Sequence, residues 1–227
     1  MKTAGVIGGM GPEATLDFMA RVIANTHAGC DQDHLHMLVD HNPTLPNRHA
    51  AIAGHGASVG PLLAKMATGL QAAGADFIVM PCNTAHAFAD EVRAAITVPF
   101  LDIIEISAST AAEARVGKAG VMAAEGCLAA GLYQRALAQR DIEPVLWTAA
   151  ELQQFMEVVY RIKAGERGVA LAGLVDGLAQ ALVDRGAELL IAACTEIPLI
   201  FQQDHCPVPL LASTELLARN TVLFARG

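Results

Sequence analysis

Two stretches of the chain carry a reactive side chain in matching surroundings. Gly74–Thr84 reads GADFIVMPCNT and Gly186–Glu196 reads GAELLIAACTE; each has Gly-Ala-acid, an apolar run, a cysteine eight residues after the glycine and polar residues behind it. Downstream, Val98-Pro99-Phe100-Leu101 and Val208-Pro209-Leu210-Leu211 follow Cys82 and Cys194 at 16 and 14 residues. Agreement in content and order marks an internal repeat in which the two cysteines are equivalent. Each stands at the carboxyl end of an apolar strand, where open α/β sheets place their ligands, so two facing halves would bring two thiols to one cleft. Each also precedes an expected helix start, whose unpaired N–H groups and dipole favour thiolate and equip a thiol to act as a base near neutral pH.

Packing alone also puts cysteine at strand ends, because free cysteine is among the most buried residue types. Against that reading stand Asn83-Thr84 and Thr195-Glu196, polar where a core needs apolar groups. Cys30 and Cys206 lack such a context and read as incidental. The five cysteines include no Cys-x-x-Cys pair, and His34, His36, His41 and His49 have no metal-ligand spacing, so neither a disulfide framework nor a zinc site is expected. These histidines read as surface or packing residues.

Three further segments have a chemical and a structural reading side by side. Gly5–Glu13 (GVIGGMGPE) is a glycine-rich strand-to-helix turn with Pro12 at the first helical position. It offers N–H groups to an anion, but no G-x-G-x-x-G can be laid on it, which argues against a dinucleotide site. Asn42–Arg48 (NPTLPNR) places Arg48 on a proline-stiffened loop, either as a ligand clamp or as a solvated surface cation. Lys163, ahead of Gly165, suits the end of a helix, where a cation complements the dipole.

The elements that must position these residues alternate. Strands are expected at 3–8, 34–40, 77–81, 98–102, 118–123, 144–148, 189–193 and 208–212, with helical segments such as 13–28 and 57–73 between them. This is the pattern of βα units on parallel sheets, so the fold class is α/β with two similar doubly wound domains. No Pro/Ser/Gly linker marks a boundary. The repeat suggests an N-terminal domain of residues 1–97 plus 210–227 and a second domain of 98–209, with the site between them.

Composition closes off several classes of function. The 227 residues are 53% hydrophobic and 17% charged, which describes a globular chain and excludes a disordered one. A net charge of −8, with only 15 Lys+Arg, leaves no basic stripe for nucleic acid or anionic lipid. The N-terminal apolar run is short and broken by glycines, and no stretch approaches a membrane span, so a cytoplasmic protein is expected.

Taken together, GGMGPEAT at Gly8–Thr15, NPTLPNR at Asn42–Arg48, PCNTAH at Pro81–His86, IKAG at Ile162–Gly165 and CTEIPL at Cys194–Leu199 resemble the cofactor-independent aspartate/glutamate racemase family over essentially the full chain. CTE rather than CTH at the second cysteine is nearer the aspartate racemase branch. The resemblance implies two similar α/β domains, commonly in a homodimer, with no cofactor and a small amino acid as substrate. It implies Cys82 and Cys194 as the catalytic bases; Met10, Asn83, Thr84, Thr195 and Glu196 beside the amino acid; and Arg48 and Lys163 on a side-chain carboxylate. The sequence departs from the family pattern at Ala124, Cys127 and Ala130, where hydroxyl residues are usual, at Ala193, where glycine is common, and at Ala212, where aspartate is common.

Racemisation needs one group to take the Cα proton and another, on the opposite face, to return one; a thiolate and a thiol suffice, and their roles reverse with direction. No lysine motif calls for pyridoxal phosphate, so N–H donors and cations around the carboxylates must stabilise the carbanion. Two alternatives stay open at this level. One is a related thiol-dependent carbon-acid enzyme, such as a hydantoin racemase or a decarboxylase; the other is a noncatalytic amino-acid-binding homologue.

Overall fold

The computed structural model describes residues 1–227, the side chain of His205 excepted. Strands β1 (Ala4–Gly8), β2 (Met37–His41), β3 (Phe77–Val79) and β4 (Phe100–Leu101) form one parallel sheet in the order β2-β1-β3-β4. Strands β5 (Lys118–Val121), β6 (Glu143–Val145), β7 (Leu189–Ala192) and β8 (Leu210–Ala212) form a second in the order β6-β5-β7-β8. The two orders are the same once β1–β4 are matched to β5–β8. Register agrees as well: Ile78 faces Phe100 in the first sheet, and its counterpart Leu190 faces Leu210 in the second.

The repeat extends to packing. A Cβ on Gly5 of β1 would lie 2.6 Å from Ile78, 2.9 Å from Ala75 and 3.1 Å from Leu70; one on Gly120 of β5 would lie 2.4 Å from Leu190, 3.2 Å from Ala187 and 3.2 Å from Leu182. Each residue of the second trio lies 112 positions after its counterpart. In both halves a helix–strand corner closes against the middle strand, and only glycine leaves room for it.

Strand alternation sorts the core into three clusters. Ala4, Val6, Phe77 and Val79 of the first sheet and Ala119, Val121, Leu189 and Ile191 of the second turn toward one shared central cluster. Four helices complete it: α1 (Pro12–Asn25), α5 (Ile103–Glu113), α7 (Leu132–Ala138) and α10 (Ser213–Arg226). The opposite face of the first sheet packs Ile78 and Met80 on Leu63, Met66 and Leu70 of α3 (Gly60–Ala72). That of the second packs Leu190 and Ala192 with α8 (Ala149–Lys163) and α9 (Val169–Asp184). The short helices α2 (Arg48–Ile52), α4 (Ala89–Ala95) and α6 (Glu125–Ala129) fill the connections.

The shared core explains why no linker signal marks the two halves. Sheet membership puts Phe100–Leu101 on the first sheet and Leu210–Ala212 on the second, while α10 packs on both α1 and α5. An expected cut at 97/98 therefore precedes the last strand of the first sheet, and one at 209/210 precedes the last strand of the second. All eight expected strands are present, each shorter than expected. Among the described residues, no helix is long and apolar enough to cross a membrane.

Candidate active site

Cys82 follows β3 and Cys194 follows β7, and both line one cavity between the two halves. Each is 6% exposed. Behind Cys194 stands a single 3-10 turn, Ile197–Leu199, whereas behind Cys82 the 3-10 helix Thr84–Phe88 runs directly into the α-helix Ala89–Ala95. So short a turn behind Cys194 aligns few peptide dipoles and offers a thiolate there little stabilisation.

The glycine turn supplies Met10. Thr15 of α1 locks that turn by accepting the Gly9 N–H at 2.8 Å and donating to the Gly11 carbonyl at 3.1 Å. Gly11 lies so close to the second half that a Cβ there would stand 3.0 Å from Glu196 Oε1 and 3.2 Å from Lys163 Nζ. Arg48 is the first residue of α2 rather than a loop residue. Asn47 caps that helix, its side chain accepting from the N–H groups of His49 and Ala50, and this aims Arg48 and His49 into the cavity wall. Lys163 ends α8, as its sequence context suggested, and its ammonium also turns into the cavity.

Glu196 stands at the centre of the charge arrangement. Its Oε1 pairs with Lys163 Nζ, while its Oε2 accepts from Cys194 Sγ at 3.2 Å and from Thr195 Oγ1 at 3.3 Å. Burial, and then the Glu196 charge, push the Cys194 thiol well above its ordinary value; Lys163 and the Glu196 N–H pull the other way without prevailing. Burial opposes the charge on Lys163, but Glu196 outweighs it and holds the ammonium above its ordinary range. The expectation that a helix start lowers both thiols therefore fails at Cys194, where desolvation and a neighbouring carboxylate favour the protonated form.

The structure brings Met10, Arg48, Cys82, Asn83, Thr84, Lys163, Cys194, Thr195 and Glu196 around this one space. Asn83 is nevertheless tied elsewhere: its Oδ1 accepts from Tyr133 Oη at 2.7 Å and its Nδ2 donates to Ser213 Oγ at 3.0 Å. Ser213 passes the link to the Ala192 carbonyl at 2.8 Å. The amide thus joins the two halves at the cavity wall. Exposed Cys30 and half-buried Cys206 lie outside the cavity, and Cys127 is buried in the central cluster, its thiol pushed upward by burial.

Three more residues, His49, Ala124 and Val159, line the wall, and none of them is a site candidate by sequence. His49 was assigned to surface or packing; it accepts the Gly126 N–H at 3.1 Å through Nδ1, and burial lowers its pKa. Its place next to Arg48 behind a rigid loop was the available signal. Val159, one helical turn before Lys163, lines the wall by i,i+4 spacing. Ala124 was noticed only as a departure from a family pattern.

The cavity holds about 20 Å³ of free space, roughly one water. Outside it lies a wider vestibule of about 410 Å³ that shares Arg48, Lys163 and Glu196 with it. Arg167, just after α8, pairs with Glu13 of α1, a residue of the vestibule wall. Among the described residues, no group of three or more His, Cys, Asp or Glu is placed to hold a metal ion.

Residues 7–221 match the family model described as Asp/Glu/Hydantoin racemase. The chain is 28% identical over 230 aligned positions to the broad specificity amino-acid racemase RacX of Bacillus subtilis (strain 168), covering 96% of each. It is 36% identical over 141 positions to a glutamate racemase of Corynebacterium kroppenstedtii, covering 60% of this chain and 46% of that one. Among solved structures, Picrophilus torridus aspartate racemase superposes with a TM-score of 0.90 at 26% identity, covering 100% of this chain and 95% of the other.

Proposed function

The chain belongs to the Asp/Glu/Hydantoin racemase family, and on that premise we propose that it racemises an acidic amino acid, aspartate or glutamate, through Cys82 and Cys194 without a cofactor. The observation that carries the reading is the convergence of two thiols, from equivalent strands of a repeated fold, on one closed cavity with cations on its wall. One cysteine as thiolate takes the Cα proton, and the electron pair spreads into the α-carboxylate. The other, as thiol, returns a proton to the opposite face, and the two charge states exchange. General acid–base assistance of this kind is worth about 10²–10⁴-fold. Arg48 and Lys163 supply the positive charge against which the carbanion forms, in a space too small to retain bulk water.

Arg48 and Lys163 are also the basis for an acidic substrate. A second reading, a broader range that includes neutral amino acids, rests on the Lys163–Glu196 ion pair, which reduces the charge offered to a side-chain carboxylate, and on the apolar wall of Met10, Ala124 and Val159. The relative named as a broad specificity racemase is consistent with that reading. A homodimer and a cytoplasmic setting belong to the same proposal. The test is a panel of single-enantiomer amino acids incubated with the protein, without added cofactor, and read by chiral chromatography. Conversion of aspartate or glutamate ahead of alanine, serine and methionine supports the acidic reading; the reverse order supports the broader one.

A further inference from the structure

The repeat makes Cys82 and Cys194 equivalent in the chain, yet their neighbours differ. Two residues after Cys82 stands Thr84; two residues after Cys194, at the corresponding position, stands Glu196. Its carboxylate is 5% exposed as a residue, accepts from Cys194 Sγ at 3.2 Å, and is anchored from the other side by Lys163. An ionised carboxylate only accepts hydrogen bonds, so this contact requires a proton on Cys194.

We propose that Glu196 is a positioning residue that makes the two bases unequal, holding Cys194 as the thiol in the resting enzyme and leaving Cys82 to carry the thiolate. The inference rests on the two-base reading above. In one direction of reaction the resting form is ready: Cys82 takes the Cα proton and Cys194 gives its own. In the other direction a proton must first leave Cys194 and reach Cys82. Enantiomers have equal free energy in water, so kcat/KM is the same in both directions whatever the resting form, and the inequality resides in the protonation of the free enzyme.

The charged and titratable groups facing this pair are Lys163 from α8, Arg48 and His49 from α2, and Cys82 after β3, with Glu125 of α6 facing His49. Lys163 is a cation that acts directly on Cys194, and Glu196 is its ion-pair partner. Removing the carboxylate therefore both deletes a like charge beside a thiolate and releases an opposite one. The upward displacement of the Cys194 thiol agrees with this arrangement.

The test is the pH profile of alkylation by iodoacetamide of the intact, substrate-free protein, with Cys82 and Cys194 followed separately by mass spectrometry of their peptides. In the wild type, Cys82 is expected to react first and Cys194 only at higher pH. Glu196→Gln, nearly the same in shape, is expected to bring the Cys194 midpoint down by about one to three pH units, the effect of deleting a nearby charge. Glu196→Asp restores it in part. Lys163→Met, which leaves the carboxylate and removes its partner, moves the midpoint the opposite way and serves if the glutamine variant does not fold. A wild-type Cys194 that reacts as early as Cys82 overturns the proposal, as does a midpoint that neither substitution moves. Because alkylation needs no substrate, a protein that fails to racemise any amino acid but shows these profiles refutes the racemase reading and leaves the inequality of the thiols standing.

Discussion

The Nδ1–H of His86 donates to the carbonyl oxygen of Cys82 at 2.8 Å, while its Nε2 accepts the N–H of Ile103 at 3.3 Å. Those two bonds fix the neutral Nδ1–H tautomer and tie the Cys82 turn to the start of α5. Burial keeps the imidazole below its ordinary pKa, although Asp102, 3.8 Å away, favours the charged form. In the unfolded chain the same side chain gains a proton near pH 6.5. The unfolded state therefore binds more protons below that pH, and stability falls as pH drops from about 6.5 toward the folded value. His49, also depressed by burial, acts in the same direction.

Urea unfolding at about pH 7.5 and about pH 5.5 should show this loss in the wild type and a smaller loss in His86→Asn. At the higher pH, His86→Asn leaves the Ile103 N–H without its acceptor and costs about 1–3 kcal/mol. Equal losses in the two proteins between the two pH values would remove His86 from the account.

Tyr133 and Asn83 make a second prediction. Tyr133 is fully buried, and its hydroxyl is the donor that meets Asn83 Oδ1 between α7 and the Cys82 turn. Tyr133→Phe deletes that donor with almost no change of shape and leaves a buried carbonyl unpaired. Unfolding should cost about 1–3 kcal/mol less, and Tm should fall by about 2–4 °C for each kcal/mol in a chain of this size. Thr195→Val, at the position corresponding to Asn83, holds no such cross-link and should be milder. A Tyr133→Phe protein as stable as the wild type would mean the amide finds another partner.

The positions of the strands along the chain, the repeat that pairs the two cysteines and the glycine turn were legible because each depends on local pattern: runs of apolar residues, a repeated spacing, and a proline at the first helical position. The helix starts near the site were less so: Thr195-Glu196 looks like one and leads only to a single 3-10 turn, while Asn83-Thr84 opens a 3-10 helix that runs on into α4. What the sequence hid was the choice of partners. Nothing local tells Asn83 to meet Tyr133, 50 residues away, or Glu196 to meet Lys163, 33 residues back; these pairings exist only once the halves are packed. His49 was passed over for the same reason, because its neighbour Gly126 comes from the other half.

Specificity gives a third prediction. Arg48 lines the cavity with one side-chain hydrogen bond, from Nη1 to the Pro46 carbonyl at 3.3 Å, so its remaining donors can meet a carboxylate. Charge-assisted bonds of that kind are worth about 1.5–3 kcal/mol. Arg48→Ala should lower kcat/KM for aspartate and glutamate by about 10- to 100-fold and change that for alanine or serine less. Arg48→Lys should recover only part, for want of the planar fork. Steady-state kinetics on the five-member set of Asp, Glu, Ala, Ser and Met decides it; neutral substrates outpacing both acids in the wild type would contradict the carboxylate clamp.

We propose that Cys82 and Cys194 each serve one face of the same carbon. The most direct test is the conversion of single-enantiomer aspartate and glutamate, without added cofactor, by the wild type, Cys82→Ala and Cys194→Ala, read by chiral chromatography with circular dichroism to check folding. Racemisation is expected from the wild type and its loss from both folded variants, with Cys30→Ala and Cys206→Ala close to wild type. Racemisation at the wild-type rate by either Cys82→Ala or Cys194→Ala would contradict it.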